Sequence, residues 1–157
     1  MNSRHSLPAL FLAAVVLLAV PLIPTGCQSF QKPSPEQGAA LERVVVGAAA
    51  TLALNKNPQY VPAATALAVG IDAAVAQNAI ITPESIAAFV HQVCAGHGVT
   101  VQDEAIFANL AQSVYQVYTA TYKPQVVSSA DPQVLLYVGA FRDGLRDAVA
   151  AVSVSHS

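Results

Sequence analysis

TVQDEAIFANLAQSVYQVYTATY, residues 100–122, decides the fold. Ile106, Phe107, Leu110, Val114, Val117 and Thr121 recur every three or four residues, the spacing that gathers side chains on one face of an α-helix. Thr100 stands just ahead of the stripe, followed by Asp103 and Glu104, so an oxygen-bearing cap and an acidic first turn mark the helix start. The stretch predicts a helix over 101–122 that packs on one side.

Working outward, the same start signal recurs. Ser34-Pro35-Glu36-Gln37 offers a cap, a proline at the first helical position and a glutamine at the third, the makings of a capping box. Thr82-Pro83-Glu84 and Asp131-Pro132 repeat the cap-then-proline order, and Asn57-Pro58 is a fifth start. Pro62 lies four residues beyond Pro58 and lacks a backbone donor, so regular helix there begins only near Val61. The resulting helices run over 35–55, 58–77, 83–95, 101–122 and 132–152, with turns at Asn55-Lys56-Asn57, Gly96-His97-Gly98 and Pro124. In the last, Leu135, Val138, Phe141, Leu145, Val149 and Val152 form the apolar stripe, and Arg142, Asp143, Arg146 and Asp147 a solvated face. The expectation is an all-α fold, a compact bundle of about five helices over 35–152 with a tail at 153–157.

The first two helices differ from the rest. Between Val44 and Pro83 the only charged residues are Lys56 and Asp72, so Val44–Leu54 and Val61–Val75 are apolar on nearly all sides. Gly47 with Thr51, and Ala66, Gly70 and Ala74, are spaced by four, which makes ridges of small residues along which two helix backbones approach closely. These helices are expected to be the most buried pair, a hairpin covered by the other three. The alternative is a membrane-inserted hairpin, since small ridges also occur where membrane helices meet. Each run nevertheless falls short of the roughly 20 apolar residues needed to span a bilayer.

Composition narrows the partners. Hydrophobic residues make up 54% of the 157 and charged residues 10%, against about 25% charged in ordinary soluble domains. Seven Lys and Arg, of which Arg4 lies in the amino-terminal segment, face nine Asp and Glu, and no basic cluster exists to neutralise phosphates. Nucleic-acid binding is excluded on that ground.

Arg4, the apolar run Ala9–Val20 and Pro21-Leu-Ile-Pro-Thr-Gly-Cys27 follow the order of a secretory leader. The segment resembles the lipoprotein signal peptides of bacteria, in which a pair of small residues precedes a cysteine that receives diacylglycerol before cleavage. Thr25, Gly26 and Cys27 match that lipobox, while the position three before the cysteine, usually aliphatic in the family, is Pro24, with Ile23 one place further out. The resemblance implies a signal peptide over 1–26, removed on maturation, and lipidation at Cys27 with fatty acids such as palmitate. It also implies attachment to a membrane through the amino-terminal lipid, several acyl chains on one residue holding far more firmly than one. Gln28 stands where an Asp is the usual inner-membrane retention signal of the Gram-negative members, which implies the periplasmic face of the outer membrane in such a host. Residues 27–34 read as a tether, since the stretch Gln28–Pro35 carries two prolines and no periodicity. An uncut membrane anchor is the alternative.

Chemistry-bearing residues are few. His91, Cys94 and His97 lie at three-residue intervals, but Gly96 and Gly98 bracket His97, and the spacing matches no zinc motif. They are weak metal candidates; otherwise Cys94 is a small buried hydrophobe and the histidines favour the negative helix end. With Cys27 acylated, Cys94 has no intrachain disulfide partner. Tyr115, Tyr118 and Tyr122 form a second stripe beside the aliphatic one. Such a stripe is core edge, or an interaction surface that buries only its near edges. Asp72 is read as an exposed edge residue. No catalytic triad, paired carboxylates, phosphate loop or dinucleotide fingerprint is found, so no enzyme and no cofactor is expected.

Three functions are open. The first is a structural or protein-interaction lipoprotein of the bacterial envelope, binding a protein partner or a second copy. The second is an envelope lipoprotein of a phage or prophage, acting in lysis or superinfection exclusion, suggested by a loose resemblance to small helical lipoproteins of that origin. The third is a small metal or redox protein at His91, Cys94 and His97.

Overall fold

The computed structural model describes residues 33–77 and 80–155. The leader, Cys27 and most of the tether fall outside the described residues. Within the unit Lys32–Ser157, the chain forms α1 (Pro35–Lys56), a short 3-10 turn (Pro58–Tyr60), α2 (Val61–Val75), α3 (Pro83–Gly96), α4 (Val101–Tyr122) and α5 (Pro132–Ser155). The described residues form an all-α bundle of five helices. α5 runs three residues past the expected end, so 153–155 are helix rather than tail.

Local capping chemistry sets the starts. Ser34 and Gln37 form the expected capping box, with Gln37 N–H donating to Ser34 Oγ at 3.3 Å and Ser34 N–H to Gln37 Oε1 at 3.1 Å. Thr82 and Ser85 form another, at 3.2 and 2.9 Å. Asp103 N–H donates to Thr100 Oγ1, and Gln133 N–H to Asp131 Oδ1. Each satisfies a backbone donor that the first turn of a helix leaves open. Asn57 departs from the pattern. Its side chain turns back to the Ala53 carbonyl, and Pro58–Tyr60 form the 3-10 turn ahead of α2. Lys123 ends α4 in the left-handed conformation, φ 50°, ahead of Pro124.

α5 is the axis of the bundle. α1 and α2 both pack chiefly on it rather than on each other, which corrects the expected α1–α2 hairpin contact. Gly38 meets Tyr137 and Gly47 meets Gly144, so α1 runs parallel to α5. Asp72 meets Arg142 and Arg146, while Thr65 and Ala150 line one small cleft, so α2 runs antiparallel. The small ridge that admits close approach is Ala140, Gly144 and Ala148 of α5, all buried. Gly70 lies instead under the ring of Phe89 in α3.

Two expected stripes are turned on their axes. In α4 the buried line is Phe107, Val114 and Tyr118, with Val117 39% exposed. In α5 it is Val134, Tyr137, Phe141, Leu145, Ala148 and Val152, with Leu135 on the outside. Tyr118 and Tyr137 explain both rotations, because their rings meet at 5.2 Å in an edge-to-face contact and draw those faces together. The charged face of α5 is also more than a solvated surface. Arg142 and Arg146 hold Asp72 of α2 at 2.8 and 2.7 Å, and Arg43 of α1 makes a two-point pair with Asp147.

α1 is long and apolar enough, by length and composition, to cross a membrane. Here it buries Val46, Ala50 and Leu54 in the core and leaves Leu41, Val44 and Leu52 exposed.

Candidate functional site: an apolar cavity among four helices

The end of α2, the start of α3, the second half of α4 and the first half of α5 surround a cavity of about 210 Å³. Its walls are hydrocarbon, with Ile71, Ile86, Phe89, Val114, Val138 and Phe141 among them. Among the described residues no charged side chain lines it, and Ser85 and Ser129 supply its only aliphatic hydroxyls. The loops before α3 and α5 are tied beside it by an Ile80–Ser128 bridge and by Ile81 N–H donating to the Val127 carbonyl at 2.9 Å. Ile80, 64% exposed, belongs to both the wall and the surface.

Small residues help to keep this space open. Ala74 of α2 and Ala111 of α4 line it where longer side chains would reach inward. Apolar cavities of about 150 Å³ stay dry and take up benzene.

The tyrosines lie on either side of a boundary. Tyr118 is 3% exposed and belongs to the core. It packs 5.3 Å from Tyr122 and 5.2 Å from Tyr137, and its hydroxyl donates to Asp131 at 3.5 Å. Tyr115 is half-buried and lines the cavity. The Tyr122 hydroxyl donates to the Pro33 carbonyl and receives the Tyr137 hydroxyl, a relay that ties α4 and α5 to the chain ahead of α1. Of the two readings of the Tyr115, Tyr118 and Tyr122 stripe, core edge or interaction surface, Tyr118 falls to the core, and Tyr115 and Tyr122 are half-buried beside it, Tyr122 and Tyr118 both meeting Tyr137. Burial, with the Tyr122 hydroxyl beside it, pushes the Tyr137 phenol well above its ordinary range.

His91, Cys94 and His97 do not converge. His91 is exposed and sits 3.0 Å from Glu104 Oε2, Cys94 is fully buried, and His97 caps the end of α3 in solvent. Among the described residues no group of three or more His, Cys, Asp or Glu is placed to hold a metal. Burial, with Glu104 nearby, pushes the Cys94 thiol up to about 11, so at neutral pH it is a thiol and a poor nucleophile.

Sequence reading passed over two features. Glu42, in the middle of α1, is 8% exposed, and its burial raises the carboxyl above the usual range. Nothing in its neighbours along the chain, Leu41 and Arg43, signals that. The cavity was also missed, though Ala74 and Ala111 at inward positions were a visible hint. Comparison of the chain with protein-family models, curated proteins and solved structures finds no match in any of the three.

Proposed function

We propose that the protein is a lipid-anchored component of the bacterial cell envelope, of the structural or protein-interaction type, attached to a membrane through Cys27. In a Gram-negative host it sits on the periplasmic face of the outer membrane. The order Arg4, Ala9–Val20, Thr25-Gly26-Cys27 carries this reading, because a charged start, an apolar run too short to span, and a small pair before cysteine are what lipidation and cleavage require. Support comes from the capping box at Ser34, which starts the helical domain seven residues after the cysteine and leaves a short connection between lipid and bundle. The hydrocarbon character of the cavity suits binding rather than bond-making chemistry.

Expressing the protein with labelled palmitate tests the anchor. The parent takes up label and appears in a shortened, membrane-bound form, while Cys27→Ser stays unlabelled and unprocessed. Equal labelling of the two would remove the lipoprotein reading.

A further inference from the structure

We propose that the cavity between α2, α3, α4 and α5 is a binding site for a single hydrocarbon chain, the acyl tail of a lipid or fatty acid, with its head group left outside. Three observations carry this. The walls are mostly aliphatic and aromatic carbon from four helices and the loops before α3 and α5, and among the described residues no charged side chain lines them, so the buried part of a guest there is neutral and makes no ionic contact with them. The hydroxyls of Ser85, Tyr118, Ser129 and Tyr137 in the wall each already donate to a protein oxygen, so those four are not held out toward a polar guest. The volume, about 210 Å³, exceeds the space that takes benzene and suits the end of an alkyl chain.

The position of the polar atoms agrees with a tail-in, head-out arrangement. Ser129 Oγ leans on the Val75 carbonyl and Ser85 Oγ on the Thr82 carbonyl, so both serines are engaged with the backbone around the loops. Exposed Ile80 continues the apolar wall to the surface, where the space opens to solvent. A guest here makes contacts with Ile86, Phe89, Val114 and Phe141, and binding is coupled to the stability of the bundle.

The proposal is independent of the anchor at Cys27, and one experiment separates them. The full chain is placed in phosphatidylcholine vesicles that carry either a diazirine-bearing free fatty acid or a phosphatidylcholine with the same diazirine in its tail. After irradiation, the adducts are mapped by peptide mass spectrometry. Adducts on α3 and α4 lining residues such as Phe89 and Val114 are expected, and the probe that gives them identifies the free acid or the phospholipid as the source. Ala111→Leu and Ala74→Leu, from different walls, singly and together, fill the space. They should lose those adducts, and the rise in melting temperature on adding the fatty acid, while keeping the parent's helical content. Adducts confined to the surface of α1 or to the amino-terminal peptide would overturn the proposal in the parent alone. So would lining adducts that persist in a well-folded filled variant. Failure of Cys27 to acylate leaves either result readable.

Discussion

Gly144 of α5 lies so close to α1 that a β-carbon built on it would stand 2.9 Å from both the Arg43 carbonyl oxygen and the Val46 β-carbon. One of those atoms is backbone and the other is rigidly attached to it, so neither yields without shifting a helix. Gly144→Ala is therefore expected to destabilise the bundle by roughly 1–3 kcal/mol through overpacking. A β-carbon built on Gly47, its counterpart on α1, would stand an ordinary 3.5 Å from the Gly144 carbonyl oxygen. Gly47→Ala should be neutral or stabilising by up to about 1 kcal/mol, because alanine favours helix. Urea unfolding of the two variants checks the sign, and equal losses would contradict the close approach at Gly144.

That contact also shows what the sequence could and could not reveal. Helix starts were legible at Ser34, Thr82, Thr100 and Asp131 because a cap is settled within four residues. Partner choice was not. Val44–Leu54 and Val61–Val75 are apolar on nearly all sides, so neither names the face it buries, and the small ridge that settles the matter, Ala140-Gly144-Ala148, sits far along the chain among charged neighbours. The same limit turned the α4 stripe by one position. Val117 and Tyr118 are both plausible core residues on periodicity, and only the arrival of Tyr137 from α5 decides between them. A cavity is harder still to read, being the space left by four helices that no single periodicity describes.

Tyr118 tests the core assignment. At 3% exposure with two aromatic neighbours, Tyr118→Ala should cost about 3 kcal/mol or more, in the range for deleting a large buried ring. Tyr118→Phe keeps the ring contacts and gives up one long hydrogen bond to Asp131, so it should cost less than about 1 kcal/mol. A loss near 1 kcal/mol for alanine, together with weakened self-association, would return Tyr118 to the surface.

Cys94 should resist alkylation. Its thiol is fully buried and pushed up to about 11, so at pH 8 little thiolate exists and none is reachable. Iodoacetamide is expected to modify Cys94 only as fast as the bundle opens, and full modification should follow added denaturant. Rapid modification of the folded protein would revive a redox role for this cysteine.

Glu42 makes stability depend on pH in the direction opposite to most carboxylates here. Asp72, Asp103 and Asp147 are held below their ordinary range by hydrogen-bonding partners, so what they contribute is lost as pH falls through their lowered values. Glu42 is raised by burial, so the folded state binds its proton more tightly than the unfolded chain does. Between the unfolded value near 4.5 and the higher folded one, the native protein therefore holds the extra proton. Stability falls as pH climbs through that window, and the full penalty for the buried charge persists above it. Glu42→Gln removes the charge while keeping the shape. The variant should match its parent closely at pH 4 and exceed it at pH 7.5, with the gap opening across the window. Subtracting parent from variant cancels the three aspartates, whose partners the substitution leaves alone. Melting temperatures of both proteins over that range decide the matter, and a gap that stays constant with pH would show that Glu42 is solvated in the folded state.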